Sequence, residues 1–547
     1  MLLLIFSPKK RSSYRSFIYN LTKYTISLLH FYAHSFAGYA VATSASGYTV
    51  AVGSPKHTSL ISPNPPKDAG RVRIYRYNPK QDGWKKVGQD IEGQSDGDEF
   101  GSSISLNDDG NIIAIGAPNC DRMGKREVGC VKVYELRFVA DPDNGEDEEV
   151  WFEIGDTIVG DKSFDHFGTS IDLQMSYDLI TDQLTYFVVI GAPDSGGDGQ
   201  EAGLVYLYKF TNVEDQANLD WKREVLITDD DPFPLAKFGA SVSMTSDSKM
   251  IAIGAPKHGG SRAGAVRIFR KDENDHGDWK QMDLPNNMNT HYSGENCGAS
   301  VSIDPSGQYI AFGCPTASIG YGKRTGRVKI LQRNTAFNGT ITWSNEEIVG
   351  EDQDNLFGTS VMLSTVINGH VFLIVGAPEN ARLGDGNEII ENSGHVQVYY
   401  NTDEGEFTQA GLDIEGLDRD DMFGSSVAIS GEGHVVVSGA PDGGYAKIFK
   451  LDYTAPPTPG PTSYVNEEEL EKKRENSVWI VFIISAFSFV ALAMSFALMK
   501  SLRRRRQFKN VRTNEDNAVV AEGENNMDLA IQRTTVTTSI GEVKDLI

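Results

Sequence analysis

Residues 100–118 read FGSSISLNDDGNIIAIGAP, and residues 129–136 follow as GCVKVYEL. The first stretch opens on Phe-Gly, passes through Ser and a β-branched residue, and runs through an apolar segment to Gly-Ala-Pro. The second alternates, with Val131 and Val133 against Lys132 and Tyr134. Alternation sends side chains to opposite faces of a pleated strand, and the proline ends the strand before it because it has no N–H to give to a ladder. This is the reading of a short strand, a second strand, a turn and a third strand.

The same layout begins at Phe36, Phe100, Phe167, Phe238, Cys297, Phe357 and Phe423, with starts roughly 60 to 70 residues apart. Phe-Gly is read as intact in five units and as Phe36-Ala37 and Cys297-Gly298 in the others. Gly-Ala-Pro is intact in five and becomes Gly53-Ser54-Pro55 and Gly313-Cys314-Pro315 in the rest. The third strand recurs in all seven as RVRIYRY, CVKVYEL, LVYLYKF, AVRIFRK, RVKILQR, HVQVYYN and YAKIFKL. A fourth segment centred on Trp84, Trp151, Trp221, Trp279 or Trp343 follows in five of them. A unit of four short strands cannot bury both faces alone, so seven in register predict an all-β, seven-bladed β-propeller over residues 24–451. Phe and Trp, once per unit, are the expected wedges between sheets.

This repeat strongly resembles the FG-GAP repeats of the integrin α head, over about residues 36–451. The resemblance implies the propeller and its mode of closure, and it departs from a whole integrin subunit in three ways. Nothing corresponds to thigh or calf regions, no von Willebrand-type domain is inserted, and MKSLRRRRQFK at 499–509 replaces the family's GFFKR-type sequence. Unit seven ends near Leu451 with three strands, and the family completes such a blade with a strand from the other terminus. Residues 24–32 (YTISLLHFY) are the expected donor. The same region, 9–35, also reads as a poor signal sequence, with basic residues ahead of a short apolar run. Residues 1–23 are left unassigned.

Residues 477–499 (SVWIVFIISAFSFVALAMSFALM) carry no charge. At about 1.5 Å per residue they reach roughly 34 Å, against a hydrocarbon core of about 30 Å, so they predict one transmembrane helix. Lys500, Arg503, Arg504, Arg505, Arg506, Lys509 and Arg512 follow it directly, and the positive-inside rule places 500–547 in the cytosol and the propeller outside or in a lumen. Residues 452–476 form a Pro-rich, then charged, stalk. The topology is that of a type I single-pass protein, at the cell surface or in a secretory-pathway membrane. Ala493 and Ala497 make a small-xxx-small pair suited to weak helix dimerisation. The polar tail, read as disordered, carries Thr534, Thr535, Thr537, Thr538 and Ser539 after Arg533 and offers a site for an adaptor.

The formal charge is −24. Because residues 1–35 and 500–512 are net basic, the negative charge concentrates in the propeller, which argues against nucleic acid and for basic or cationic partners. Much of it recurs in the loops joining strand four to the next unit: Asp96, Asp98 and Glu99; Asp161 and Asp165; Asp229, Asp230 and Asp231; Glu351, Asp352 and Asp354; Asp418, Asp420 and Asp421. In a propeller these loops share a face with the turns between strands two and three. That face is the expected recognition surface for a protein or glycan ligand, the alternative being a solubilising rim.

Integrin calcium loops lie between Phe-Gly and Gly-Ala-Pro, where this chain offers only Asn107-Asp108-Asp109-Gly110, so those sites are not carried over. Calcium stays open as a ligand of the acidic face, and no cofactor is expected. The segment from Asp141 to Gly145 has the look of a calcium loop, but its glycine comes one place early. No catalytic motif stands out: the chain lacks His-Glu-x-x-His, Gly-x-Ser-x-Gly and a P-loop, and its ten histidines are scattered. Four cysteines suggest two bridges, Cys120–Cys130 in one turn and Cys297–Cys314 where two altered motif positions meet across antiparallel strands, with free thiols the alternative. Asn338-Gly339-Thr340 is a glycosylation sequon; Asn20-Leu21-Thr22 is a second.

Overall fold

The computed structural model describes residues 21–22 and 35–451, apart from the segments 60–64, 141–146, 179–182, 197–201, 213–219, 273–276, 285–292, 319–322, 336–340, 366–369, 385–387 and 402–405. The expected donor strand 24–32, the stalk, the membrane span 477–499, the tail, the 141–145 loop and both sequon asparagines, Asn20 and Asn338, lie outside the described residues.

Seven antiparallel sheets each run one-two-three-four from inner to outer strand. In blade two these strands are Ser103–Leu106, Ile112–Ala117, Cys130–Ala140 and Asp147–Glu153. The inner strands touch one another in cyclic order, with Ser426–Ile429 of blade seven returning to Ala40–Thr43 of blade one, so the ring is closed. Buried apolar side chains divide into seven clusters, one at each junction between neighbouring blades. The core is therefore distributed around the ring, as expected where no sheet can bury both faces by itself.

The repeat motif is the joinery of these junctions. Phe167, Phe238, Phe357 and Phe423 are almost wholly buried, as is Cys297 in the same place. The following glycine puts its carbonyl against the glycine of the preceding unit's Gly-Ala-Pro: a Cβ on Gly116 would collide with the Gly168 carbonyl oxygen. Three residues after the Phe position, a serine hydroxyl donates to the next blade's glycine carbonyl. The pairs are Ser103 to Gly168 (2.7 Å), Ser170 to Gly239 (2.8 Å), Ser241 to Gly298 (2.9 Å), Ser300 to Gly358 (2.9 Å), Ser360 to Gly424 (2.7 Å) and Ser426 to Gly38 (2.8 Å). Two tryptophans act similarly farther out, Trp151 Nε1 donating to the Val87 carbonyl at 3.0 Å and Trp221 Nε1 to that of Ile154 at 2.9 Å.

This register corrects the reading of unit one. Ala40 pairs with Gly53 as Ser103 pairs with Gly116, and Gly38 N donates to Gly53 O as Gly101 N does to Gly116 O. Ala37-Gly38, and not Phe36-Ala37, thus occupies the Phe-Gly place, and Phe36 falls one position earlier. The sequence misleads here because a phenylalanine sits one residue from where packing needs it.

Closure from the other terminus is present: Leu21–Thr22 pairs antiparallel with the third strand of blade seven, Leu21 opposite Leu451 and Thr22 opposite Lys450. Both expected disulfides form, Cys120–Cys130 and Cys297–Cys314.

Candidate functional site

The loops entering each inner strand share one conformation. The residue directly before the Phe position is left-handed in all seven units, with φ between 50° and 60°: Phe36, Glu99, His166, Lys237, Asn296, Leu356 and Met422. Two places earlier the backbone is left-handed again, at Gly97, Phe164, Leu235, Gly294, Asp354 and Asp420. Most of these are not glycine, and non-glycine residues pay for this region.

Between the two left-handed residues lies a buried one, Asp98, Asp165, Ala236, Glu295, Asn355 or Asp421, and Ser35 at the same place in unit one is buried as well. Where it is acidic it holds its own loop or a neighbouring base. Asp98 Oδ2 accepts from Ser95 N at 3.2 Å and Asp165 Oδ2 from Lys162 N at 2.8 Å. Asp421 Oδ2 accepts from Asp418 N at 2.6 Å and from the Tyr445 hydroxyl at 2.7 Å. Glu295 takes Arg327 Nη2 at 2.6 Å. Burial pushes the Asp98 and Asp165 carboxyls up, with these backbone N–H groups pulling against it.

Both loop classes do meet on one face. Lys67 N donates to Asp96 Oδ1 at 2.8 Å, and Glu99 N to the Asp68 carbonyl at 3.2 Å, joining the strand-two-to-three turn of blade one to the loop that enters blade two. The fourteen acidic candidates do not act alike there. Asp98, Asp165, Asp229 and Asp421 are buried. Asp229 is engaged by Arg267 Nε at 2.8 Å and Asp161 by Arg223 at 2.9 Å. Glu99 pairs with Lys56, and Asp354 lies 3.6 Å from Arg324, which also holds Glu379. Asp96, Asp230, Asp231, Glu351, Asp352, Asp418 and Asp420 are exposed. The face is thus a mosaic in which basic turns answer acidic loops, and only part of the expected carboxylate set is displayed.

The ring of half-buried side chains before the Phe position was not legible as a site. It splits into sectors: Glu99, His166, Lys237 and Asn296 in blades two to five, and Leu356, Met422 and Phe36 in blades six, seven and one. The polar sector is internally paired. His166 lies with Nδ1 3.0 Å from Asp194 and Nε2 3.3 Å from Glu127, Lys237 joins Asp194, and Asn296 Nδ2 donates to Thr316 Oγ1 at 2.9 Å. Among the described residues no three of His, Cys, Asp and Glu stand close enough to share a metal ion.

Fold and rim define the chain as a seven-bladed β-propeller with one loop-built face of uneven chemistry. No protein-family model matches the chain, and no curated protein is similar to it.

Proposed function

We propose that this chain is a single-pass membrane receptor of FG-GAP type, related in architecture to the integrin α head, whose propeller recognises a protein or glycan ligand through the face built by the left-handed loops. The observation that carries this reading is the rim itself. All seven loops turn left-handed directly before the Phe position, at a cost in strain, yet present seven different side chains there. Shared shape with divergent chemistry suits recognition of an irregular ligand better than it suits packing. The uncharged run 477–499 with its basic flank supports a membrane anchor, with the propeller on the non-cytosolic side. The reading is recognition rather than catalysis.

Antibody against the propeller, applied to intact and to permeabilised cells expressing the full chain, tests the topology. Staining of intact cells supports a surface receptor. Staining only after permeabilisation moves the same topology to an internal membrane, where the chain would act as a lumenal cargo or assembly factor. Leu356→Gly and Met422→Gly suit their left-handed backbone and remove apolar rim contacts. Loss of ligand binding by these folded variants supports the rim as the site, and unchanged binding of every ligand moves the site elsewhere.

A further inference from the structure

The inner strands of all seven blades surround a cavity of about 290 Å³, walled by residues 41–45, 104–106, 171, 172, 174, 242–244, 301–303, 361–365, 427 and 429 among others. That is the volume of roughly ten waters. Apolar side chains line it all round, and one register position changes character from blade to blade. Five residues after the Phe position stand Ser105, Asp172, Ser243 and Ser302 in blades two to five, but Met362, Ala428 and Ala42 in blades six, seven and one.

In blades two to five each of these side chains accepts a backbone N–H from the next blade's inner strand. Ser105 takes Leu173 N at 3.0 Å, Asp172 takes Met244 N at 2.7 Å, Ser243 takes Ile303 N at 3.1 Å and Ser302 takes Leu363 N at 2.9 Å. A hydroxyl suffices for that task in three blades of the four. Asp172 does the same work while bringing a negative charge and a second oxygen, to which Ser105 Oγ donates at 3.2 Å. Among the described residues no cationic side chain answers that charge, and burial raises its carboxyl to about 6. A carboxylate held in a cleft against a desolvation cost, where a neutral residue would serve the fold, marks a candidate binding site.

We propose that this central cavity binds a small alkylammonium ion, its head group held at Asp172 and its hydrocarbon part lying against Met362, Val427 and Ala42. Ring order puts blade three opposite blades six and seven, so the carboxylate faces Met362 and Val427. An ammonium group carries one positive charge and three N–H donors. The Asp172 carboxylate and the oxygens of Ser105, Ser243 and Gln174 supply one negative charge and several acceptors. A divalent ion would need more carboxylate oxygens than one aspartate provides. The proposal concerns the ring axis and stands whether or not the rim binds a ligand.

The test is calorimetric titration of the full-length protein with butylammonium chloride at pH 7.5 and pH 5, with sodium butyrate and calcium chloride as controls. Asp172→Ser installs the residue that blades two, four and five already use, and circular dichroism checks its fold; Asp172→Asn gives a second, isosteric reading. Saturable amine binding is expected at pH 7.5, roughly tenfold weaker at pH 5 where most of the carboxylate is protonated, and lost in both variants. Equal binding by wild type and the folded variants, no saturable binding by the wild type, or calcium binding at Asp172 in place of the amine would overturn the proposal.

Discussion

The hydroxyl of Ser426 donates to the carbonyl oxygen of Gly38 at 2.8 Å, across 388 residues of chain. The bond repeats the one found at five other junctions between neighbouring blades, and here it joins the last blade to the first. The junction it spans is the one whose Phe position is filled by alanine, Ala37.

Ser426→Ala is expected to cost about 1 kcal/mol, the ordinary net value of a hydrogen bond, and more if the Gly38 carbonyl stays dry. Between blades one and two, Ala40 occupies the serine position, so the Gly101 carbonyl lacks this donor. Ala40→Ser should therefore stabilise by a similar amount. Denaturant unfolding of both variants checks the pair, and opposite signs are the expected outcome.

The blade seven to one junction buries mainly valine, alanine and isoleucine, whereas the six-to-seven junction buries Phe423, Phe449 and Tyr445. Local opening should therefore be easiest at the first of these. In native-state hydrogen exchange, the amides of Val41, Ala42 and Ala428 should lose protection before those of Ile171 and Leu173 in blade three. Uniform exchange around the ring would refute the asymmetry.

Leu235 and Phe164 are exposed at 54% and 48% with φ of 59° and 65°. Glycine at either place removes the clash that L-residues suffer there, offset by its greater unfolded-chain entropy. Leu235→Gly and Phe164→Gly should leave stability unchanged or raise it by up to about 1 kcal/mol. A fall in the thermal midpoint would mean that these side chains support the fold.

Asp172 makes stability depend on pH. Its carboxyl titrates near 4 in the unfolded chain and at about 6 when folded, so folding favours the protonated form. That contribution is complete below about pH 4 and is lost as pH rises through 6, a difference of up to about 3 kcal/mol. Comparing the unfolding free energies of wild type and Asp172→Ser from pH 4 to pH 8 isolates it: the gap should shift steadily in favour of the variant as pH rises.

The two disulfides close loops of 10 and 17 residues. Alkylation without reduction should label no cysteine, and Cys297→Ala with Cys314→Ala should cost about 2–4 kcal/mol. Four labelled thiols in the native protein would contradict the bridges.

Sequence alone determined the number of blades, the first three strands of each and the shared face of the acidic loops, because these follow from local periodicity repeated seven times in register, and it favoured both bridges, which the structure then formed. The Trp151 and Phe167 wedges were readable for the same reason. It misplaced the start of unit one by a residue, since only the close approach of the Gly38 carbonyl to the distant Gly439 fixes the register there. It also could not sort the acidic candidates. Asp98 and Asp96 are two residues apart and chemically alike, yet the backbone turns one into its own loop and the other to solvent.

The tertiary structure decided which side chains converge. The break in the inner-strand pattern at Ser170-Ile171-Asp172-Leu173 was visible in the chain, but its meaning was not. A carboxylate becomes costly, and therefore informative, only once six other inner strands close around it and leave it on a narrow cavity away from bulk solvent. Local order is set by neighbours in sequence, whereas burial and charge balance are set by residues brought together through ring closure, and no periodicity encodes those.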